Sequence, residues 1–140
     1  MSYFLIKMNF KNKDIISIRD FSKQEIDYIL NYTKKVMPYA KGEQYKPILR
    51  GKVLSSLFFE PSTRTRLSFE TAMNRLGGRV IGFADPSGTS QKKGESLADT
   101  IRMANSYSDA IVIRHHQEGA ARLAAEFADV PVLNAGDGAG

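Results

Sequence analysis

The chain has 140 residues, the length of one ordinary domain, and 42% of them are hydrophobic, close to the globular average. It contains no cysteine, and its two histidines are adjacent, so disulfides and thiolate metal sites are excluded and we expect no bound metal and no other cofactor. The net charge of +5 is compatible with a nucleic-acid surface, but the basic residues are scattered. A small anionic ligand therefore explains the positive charge better than nucleic acid.

Membrane and export signals are absent from the sequence. No run of about eighteen apolar residues exists, and the first ten residues lack the apolar core and cleavage site of a signal peptide. We therefore expect a soluble, cytoplasmic protein without a membrane partner.

The first predicted elements are a helix and a buried strand. Ser22 and Glu25 form a capping-box signature, which predicts a helix from about Lys23 to Pro38. After a polar connection, the nearly continuous apolar run from Lys52 to Phe59 has the length of a strand that is covered on both faces.

Helices and strands then alternate. The predicted elements are an amphipathic helix over Leu67–Leu76 preceded by a polar first turn, a strand over Arg79–Ala84, a loop over Asp85–Gly94, a helix containing Leu97, Ile101 and Ala104, a strand over Ala110–Ile113, a helix from Ala120 to Phe127 and a strand over Val130–Leu133. This alternation predicts an α/β fold, a Rossmann-like three-layer α/β/α domain with a parallel sheet of about four strands.

Four polar segments follow the four predicted strands. They are Ser62 to Arg66, Ser90 to Lys93, Arg114 to His116, and Asn134 to Gly138. Because ligands collect at the carboxyl ends of parallel strands, all four segments are candidates for one site. The first combines hydroxyls and two arginines with a helix N-terminus, which predicts a phosphate site.

Each candidate residue also has a structural alternative. Arg64 is either a solvated arginine or a phosphate ligand, and its position opposes the helix dipole unless an anion supplies the compensating charge. Ser62, Thr63 and Thr65 are either helix-capping residues or phosphate ligands, two roles that are compatible. His115 is either a general acid or base or a structural histidine.

The segment Phe58 to Glu70, with the sequence FFEPSTRTRLSFE, resembles the carbamoyl-phosphate signature shared by aspartate and ornithine carbamoyltransferases. Three further segments resemble the aspartate enzymes: Thr89–Ser96, Arg114–Arg122 and Asn134–Gly138. His116 departs from the family, which usually has proline there. The chain is therefore similar to the catalytic subunit of the aspartate carbamoyltransferase family, and ornithine carbamoylation is the weaker enzymatic alternative.

The resemblance implies roles for individual residues. Carbamoyl phosphate is expected to contact Ser62, Thr63, Arg64, Thr65 and Arg114, and the catalytic residues are expected to be Arg64, Thr65, Arg114 and His115. Ser90 and Lys93 are expected to reach the active site of a neighbouring subunit, where they contact aspartate or phosphate.

The resemblance also implies the reaction and the assembly. The expected reaction converts carbamoyl phosphate and L-aspartate to N-carbamoyl-L-aspartate and phosphate, an early step of pyrimidine biosynthesis. The expected assembly is a homotrimer, with a separate regulatory chain in some relatives.

Residues 1–140 are expected to form the carbamoyl-phosphate-binding domain alone. The glycine-rich ending follows a strand directly, and the family's C-terminal aspartate-binding domain is absent from the sequence. We therefore expect negligible turnover from this chain by itself, and an apolar patch beside the first helix where relatives return a C-terminal helix. A non-catalytic relative that binds an anion or acts as a scaffold is the alternative to an enzyme.

Overall fold

Helices and strands alternate along the chain as predicted. The computed structural model describes residues 8–85 and 95–138. Within these ranges the helices are α1 (Lys23–Ala40), α2 (Arg64–Arg75), α3 (Leu97–Tyr107) and α4 (Ala120–Phe127), and the strands are β1 (Val53–Phe58), β2 (Arg79–Phe83), β3 (Ala110–His115) and β4 (Val132–Asp137). A short 3₁₀ turn covers Ile18–Asp20. The predicted loop over Asp85–Gly94 lies outside the described residues after Asp85.

The four strands form one parallel sheet in the order β2-β1-β3-β4. The chain moves outward from β1 to β2, crosses back to β3, and then continues to β4 on the other side. The strand order therefore changes direction between β1 and β3, and a crevice opens at the carboxyl ends of these two strands.

Apolar side chains alternate between the two faces of the sheet. Leu57 and Ile113 lie opposite each other and pack with Ile101 of α3 and Ala124 of α4. On the other face, Leu54, Phe58 and Val112 pack with Met73 of α2. Because helices cover both faces, the predicted three-layer α/β/α architecture is confirmed.

The segment before α1 extends the sheet, which the sequence analysis did not predict. Ile15 forms a parallel bridge with Leu133, and the carboxylate of Asp14 accepts a hydrogen bond from the N–H of Val132 at 2.9 Å. The side-chain amide of Asn134 donates to the carbonyl of Ile16 at 3.0 Å. A single bridged residue is too short to show strand periodicity, but it covers part of the outer edge of β4.

The predicted helix start at Ser22 is confirmed, whereas the predicted bounds of β4 are wrong. Ser22 Oγ accepts from the N–H of Glu25 at 3.1 Å, and the Glu25 carboxylate accepts from the N–H of Ser22 at 3.0 Å. The strand β4 starts at Val132, after Pro131, which has no N–H to donate. It continues through polar residues to Asp137 because they pair with β3.

Within the described ranges, no helix combines the length and the apolar character needed to cross a membrane.

His115 is a buried member of the sheet. Its side chain is only 6% exposed, and its ring lies 4.9 Å from the ring of Phe59. Its Nδ1 accepts a hydrogen bond from the N–H of Gln117 at 3.0 Å, so the proton of a neutral ring lies on Nε2. Burial is the main cause that lowers the pKa of His115, and the nearby His116 adds to this effect, while Glu60 opposes it.

This geometry makes the stability depend on pH. Because the pKa is lower in the folded state, the unfolded chain binds more protons, and the free energy of unfolding should fall as the pH drops below about 6.5. Replacement of His115 by Gln should flatten this dependence, whereas the same change at exposed His116 should largely keep it. Urea denaturation between pH 5.5 and 7.5 measures this, and equal slopes for wild type and H115Q would contradict the prediction.

Candidate functional site

The N-terminus of α2 has three backbone donors that lack a partner among the described residues. The first hydrogen bond of the helix runs from the N–H of Leu67 to the carbonyl of Thr63 at 3.0 Å. Across the described residues, nothing accepts from the N–H groups of Arg64, Thr65 and Arg66, and Thr63 makes no side-chain capping bond. These donors and the positive end of the helix dipole therefore remain available to an anion.

The two arginines of this turn have different surroundings. Arg66 forms an ion pair with Glu70, from Nη1 to Oε2 at 2.9 Å. Arg64 is exposed, and no carboxylate of the described residues lies within ion-pairing distance of it. Arg64 is therefore an uncompensated cation at the positive end of a helix, an arrangement that a bound anion would stabilise.

Arg114 lies at the end of β3, on the face of the sheet that α2 covers. It is opposite Phe58, which packs on that face. Its Nε donates to the carboxylate of Glu60 at 2.8 Å, and its Nη1 donates to the carbonyl of Ala135 at 3.0 Å. These two bonds fix the plane of a guanidinium that is about one third exposed. The fold thus holds a second arginine at the same sheet edge as Arg64.

A glycine allows the chain to pass closely beside this arginine. Gly136 has a φ of 130°, and a Cβ at this position would lie 3.2 Å from Nη1 of Arg114. The side-chain carbonyl of Asn134 accepts from the N–H of Gly136 at 2.8 Å and holds the turn in place. The predicted segment Asn134–Gly138 therefore belongs to the site through its backbone.

The structure separates His115 from Arg114. Neighbouring residues of a strand point to opposite faces, and the His115 ring contacts Phe59, a member of the core on the side of α3 and α4. Five candidate residues lie at the edge formed by the carboxyl ends of the strands: Ser62, Thr63, Arg64, Thr65 and Arg114. The His115 side chain lies on the face of the sheet opposite to that of Arg114. Ser90 and Lys93 lie outside the described residues.

Glu60 is a further residue of the candidate site, and its role was not predictable from the sequence alone. It lies two residues beyond β1, and its carboxylate pairs with Arg114 of the neighbouring strand. The sequence held a signal, because a carboxylate and an arginine each follow a predicted strand, and these two strands are neighbours in the observed sheet. Strand order was not predicted, however, so the pair was not found.

The arrangement suits an anion with several oxygen acceptors. Free amide donors, Arg64 and Arg114 all lie at one crevice, and the adjacent hydroxyls of Ser62, Thr63 and Thr65 are further donors. Among the described residues, no group of three or more metal-ligating side chains is placed to hold a metal ion. The backbone and side chains at this edge of the sheet thus place several hydrogen-bond donors where an anion could accept from them.

Several known proteins are similar to this chain. Residues 13–140 match the family described as aspartate/ornithine carbamoyltransferase, carbamoyl-P binding domain. The chain is 61% identical over 128 residues to the aspartate carbamoyltransferase catalytic subunit of Methanothermobacter thermautotrophicus, a match that covers 91% of this chain and 41% of the relative. It is 60% identical over 131 residues to that of Thermococcus kodakarensis, covering 94% of this chain and 42% of the relative.

Solved structures show the same relationship. Aspartate transcarbamoylase from Trypanosoma cruzi in complex with carbamoyl phosphate and aspartate superimposes with a TM-score of 0.86 at 41% identity, covering 94% of this chain and 43% of that one. The catalytic subunit from M. jannaschii gives a TM-score of 0.84 at 53% identity, covering 91% and 42%. The chain thus spans about two fifths of the length of the relatives it matches.

The match over residues 13–140 includes the free helix terminus, both arginines and all four strands of the sheet. This chain belongs to the aspartate/ornithine carbamoyltransferase family.

Proposed function

We propose that this chain is the carbamoyl-phosphate-binding domain of an aspartate carbamoyltransferase catalytic chain. The proposed reaction transfers the carbamoyl group of carbamoyl phosphate to L-aspartate and releases phosphate. The observation that carries the proposal concerns the N-terminus of α2, which has no capping side chain and holds Arg64 without an ion pair among the described residues, at the same sheet edge as Arg114. The high sequence identity of this chain to aspartate carbamoyltransferase catalytic subunits supports the same conclusion.

In this proposal the first turn of α2 holds the phosphate group. The N–H groups of Arg64, Thr65 and Arg66 donate to its oxygens, and the Arg64 guanidinium closes on the same group. The hydroxyls of Ser62, Thr63 and Thr65 complete the set of donors. As the bond to the carbamoyl carbon breaks, the leaving phosphate gains charge, and these donors stabilise it.

Arg114 and Thr65 are proposed to polarise the carbamoyl carbonyl. The uncharged amine of aspartate attacks the carbonyl carbon, and negative charge develops on the carbonyl oxygen. A donor that is already fixed in position stabilises this charge without reorganisation, an effect of about 3 kcal/mol for one well-placed donor. The bonds from Arg114 to Glu60 and Ala135 provide that fixed position.

The geometry supports a catalytic role for His115 less than it supports one for Arg114. Its ring is neutral in the arrangement observed, and it lies on the opposite face of the sheet from Arg114. The hydrogen bond to the N–H of Gln117 instead holds the loop after β3. His115 stays in the proposal as a residue that acts through this loop.

Aspartate is proposed as the acceptor rather than ornithine. The matched family includes both enzymes, but the relatives that are 54–61% identical to this chain over the aligned residues are aspartate carbamoyltransferase catalytic subunits. Ser90 and Lys93 are proposed to act in the site of a neighbouring subunit, which requires the homotrimer. A separate regulatory chain and a cytoplasmic location also remain parts of the proposal.

Residues 1–140 are proposed to supply only the carbamoyl-phosphate half of the active site. An apolar groove of about 330 Å³ supports a further packing partner beside α1. It lies between α1 and residues 15–21, where Ile18 and Leu30 are largely exposed. This is the place where the resemblance implies that a C-terminal helix of the complete protein packs.

Phosphate should stabilise the chain through Arg64. At about 100 times its Kd, phosphate stabilises the folded state by about 2.7 kcal/mol, which should raise the Tm by several degrees. Arg64→Ala should abolish this rise. The matched control is Arg79→Ala, which also removes one positive charge. Arg79 starts β2 and therefore lies at the amino ends of the strands, the sheet edge opposite to Arg64. Differential scanning calorimetry with and without phosphate measures the Tm rise of both variants. An equal loss of the rise in both would mean that the arginines act only through the overall positive charge, which would contradict a specific site at Arg64.

Turnover by the 140-residue chain should be negligible. The groups that orient aspartate belong to the proposed second domain, and loss of substrate orientation lowers rates by more than about a thousandfold. The assay measures carbamoyl aspartate from carbamoyl phosphate and aspartate, with the full-length Thermococcus kodakarensis subunit as the active control. Turnover close to that of the control would overturn the assignment of residues 1–140 to half a site, whereas phosphate binding without turnover agrees with it.

A further inference from the structure

The first helix of the chain is incompletely covered. None of the 18 residues of α1 is buried, although apolar residues recur along it at helical spacing. Leu30 is 61% exposed and Tyr32 is 46% exposed. An amphipathic helix of a folded domain normally packs its apolar face against another part of the protein. The apolar face of α1 therefore has room for a further segment.

An apolar groove of about 440 Å³ runs beside this face, and we call it the tyrosine groove. Its lining includes Tyr28, Tyr32 and Val36, which are four residues apart and therefore form one row along the helix. Met8 and Phe10 belong to the same lining. The volume is within the roughly 300–1,000 Å³ of typical binding pockets, so the groove can hold large side chains.

Phe10 lies at the Tyr28 end of the tyrosine groove. Its ring lies 5.6 Å from the ring of Tyr28, which lies 6.2 Å from the ring of Tyr32. Aromatic pairs at such distances attract each other. The N–H of Lys13 donates to the carbonyl of Phe10 at 3.0 Å, and this turn fixes the direction from which the preceding residues arrive.

Exposure alternates over the first three residues that the structure describes. Met8 and Phe10 are half-buried, whereas Asn9 between them is exposed. An extended chain places successive side chains on opposite sides, so Met8 and Phe10 face the groove together. The same alternation, continued through the sequence toward the N-terminus, predicts that Ile6 faces the groove and that Leu5 faces away from it.

The length of this segment matches the length of the groove. Four residues of extended chain span about 13 Å, and eight residues of α-helix rise about 12 Å. Phe10 lies beside Tyr28. Ile6, four residues earlier, is therefore expected at the level of Val36, eight residues further along α1.

We propose that residues 3–6 of this chain occupy the tyrosine groove and cover the apolar face of α1. The segment has the sequence YFLI, which suits an apolar groove. Only Lys7 separates it from Met8, which already lines the groove, so its effective concentration there exceeds that of a separate partner. The match to the family begins at residue 13, so the covering segment lies outside the matched residues.

Methyl NOEs in the 140-residue chain test this placement. The methyl groups of isoleucine, leucine and valine are labelled with ¹³C, and NOESY spectra record their contacts. We expect NOEs from Ile6 to Val36 and to the ring of Tyr32, and none from Leu5 to α1. Absence of the Ile6 contacts, or equal contacts from Leu5, would overturn the proposal.

A sample that mixes labelled and unlabelled chains distinguishes contacts within one chain from contacts between two copies. The proposal requires contacts within one chain. Contacts that arise only between copies would show that a second molecule fills the groove, and would overturn it.

Two neighbouring substitutions measure the effect on stability. Ile6→Ser should lower the Tm by about 4 °C or more, because it removes an apolar side chain from the groove. The matched control Leu5→Ser makes a similar change on the side that faces away, and should shift the Tm by less than about 1 °C. Equal shifts in the two variants would contradict the proposed side of the segment. Neither measurement depends on phosphate binding at Arg64, so this proposal and the proposed function can fail separately.

Discussion

Positive charge at the start of α2 is the constraint on which the site depends. The dipole of the helix and the Arg64 guanidinium have the same sign, and neither a capping side chain nor a described carboxylate compensates them. Such an arrangement costs folding free energy unless an anion binds. Arg66, two residues later, avoids this cost through its ion pair with Glu70. The first turn of α2 thus holds one arginine that is paired within the helix and one that has no described ion-pair partner.

The topology of the sheet brings the second arginine to the same place. Because the strand order changes direction between β1 and β3, the turn after β1 and the end of β3 lie beside the same crevice. Arg114 is then fixed there by Glu60 and by the carbonyl of Ala135, with Gly136 allowing the close approach. The approach of the two arginines to one crevice is therefore a product of strand order.

Local signals made much of the fold predictable. The capping box at Ser22 and the apolar runs indicated the elements, and their alternation indicated the parallel sheet. The bridge at Ile15, the polar end of β4 and the pairing of Glu60 with Arg114 were not predictable in the same way, because each depends on which strands become neighbours. The His115 side chain lies on the face of the sheet opposite to Arg114 because neighbouring residues of a strand alternate. This placement could not be predicted from a strand that ends at Ile113, because it requires β3 to extend to His115.

Backbone amide shifts on addition of phosphate test whether the start of α2 binds an anion. We expect saturable ¹⁵N and ¹H shifts that are largest at Arg64, Thr65 and Arg66, because their N–H groups would donate to the phosphate oxygens. Small shifts spread over exposed lysines, with none at the start of α2, would contradict it. That result would show that the uncapped helix terminus and its arginine do not form the anion site.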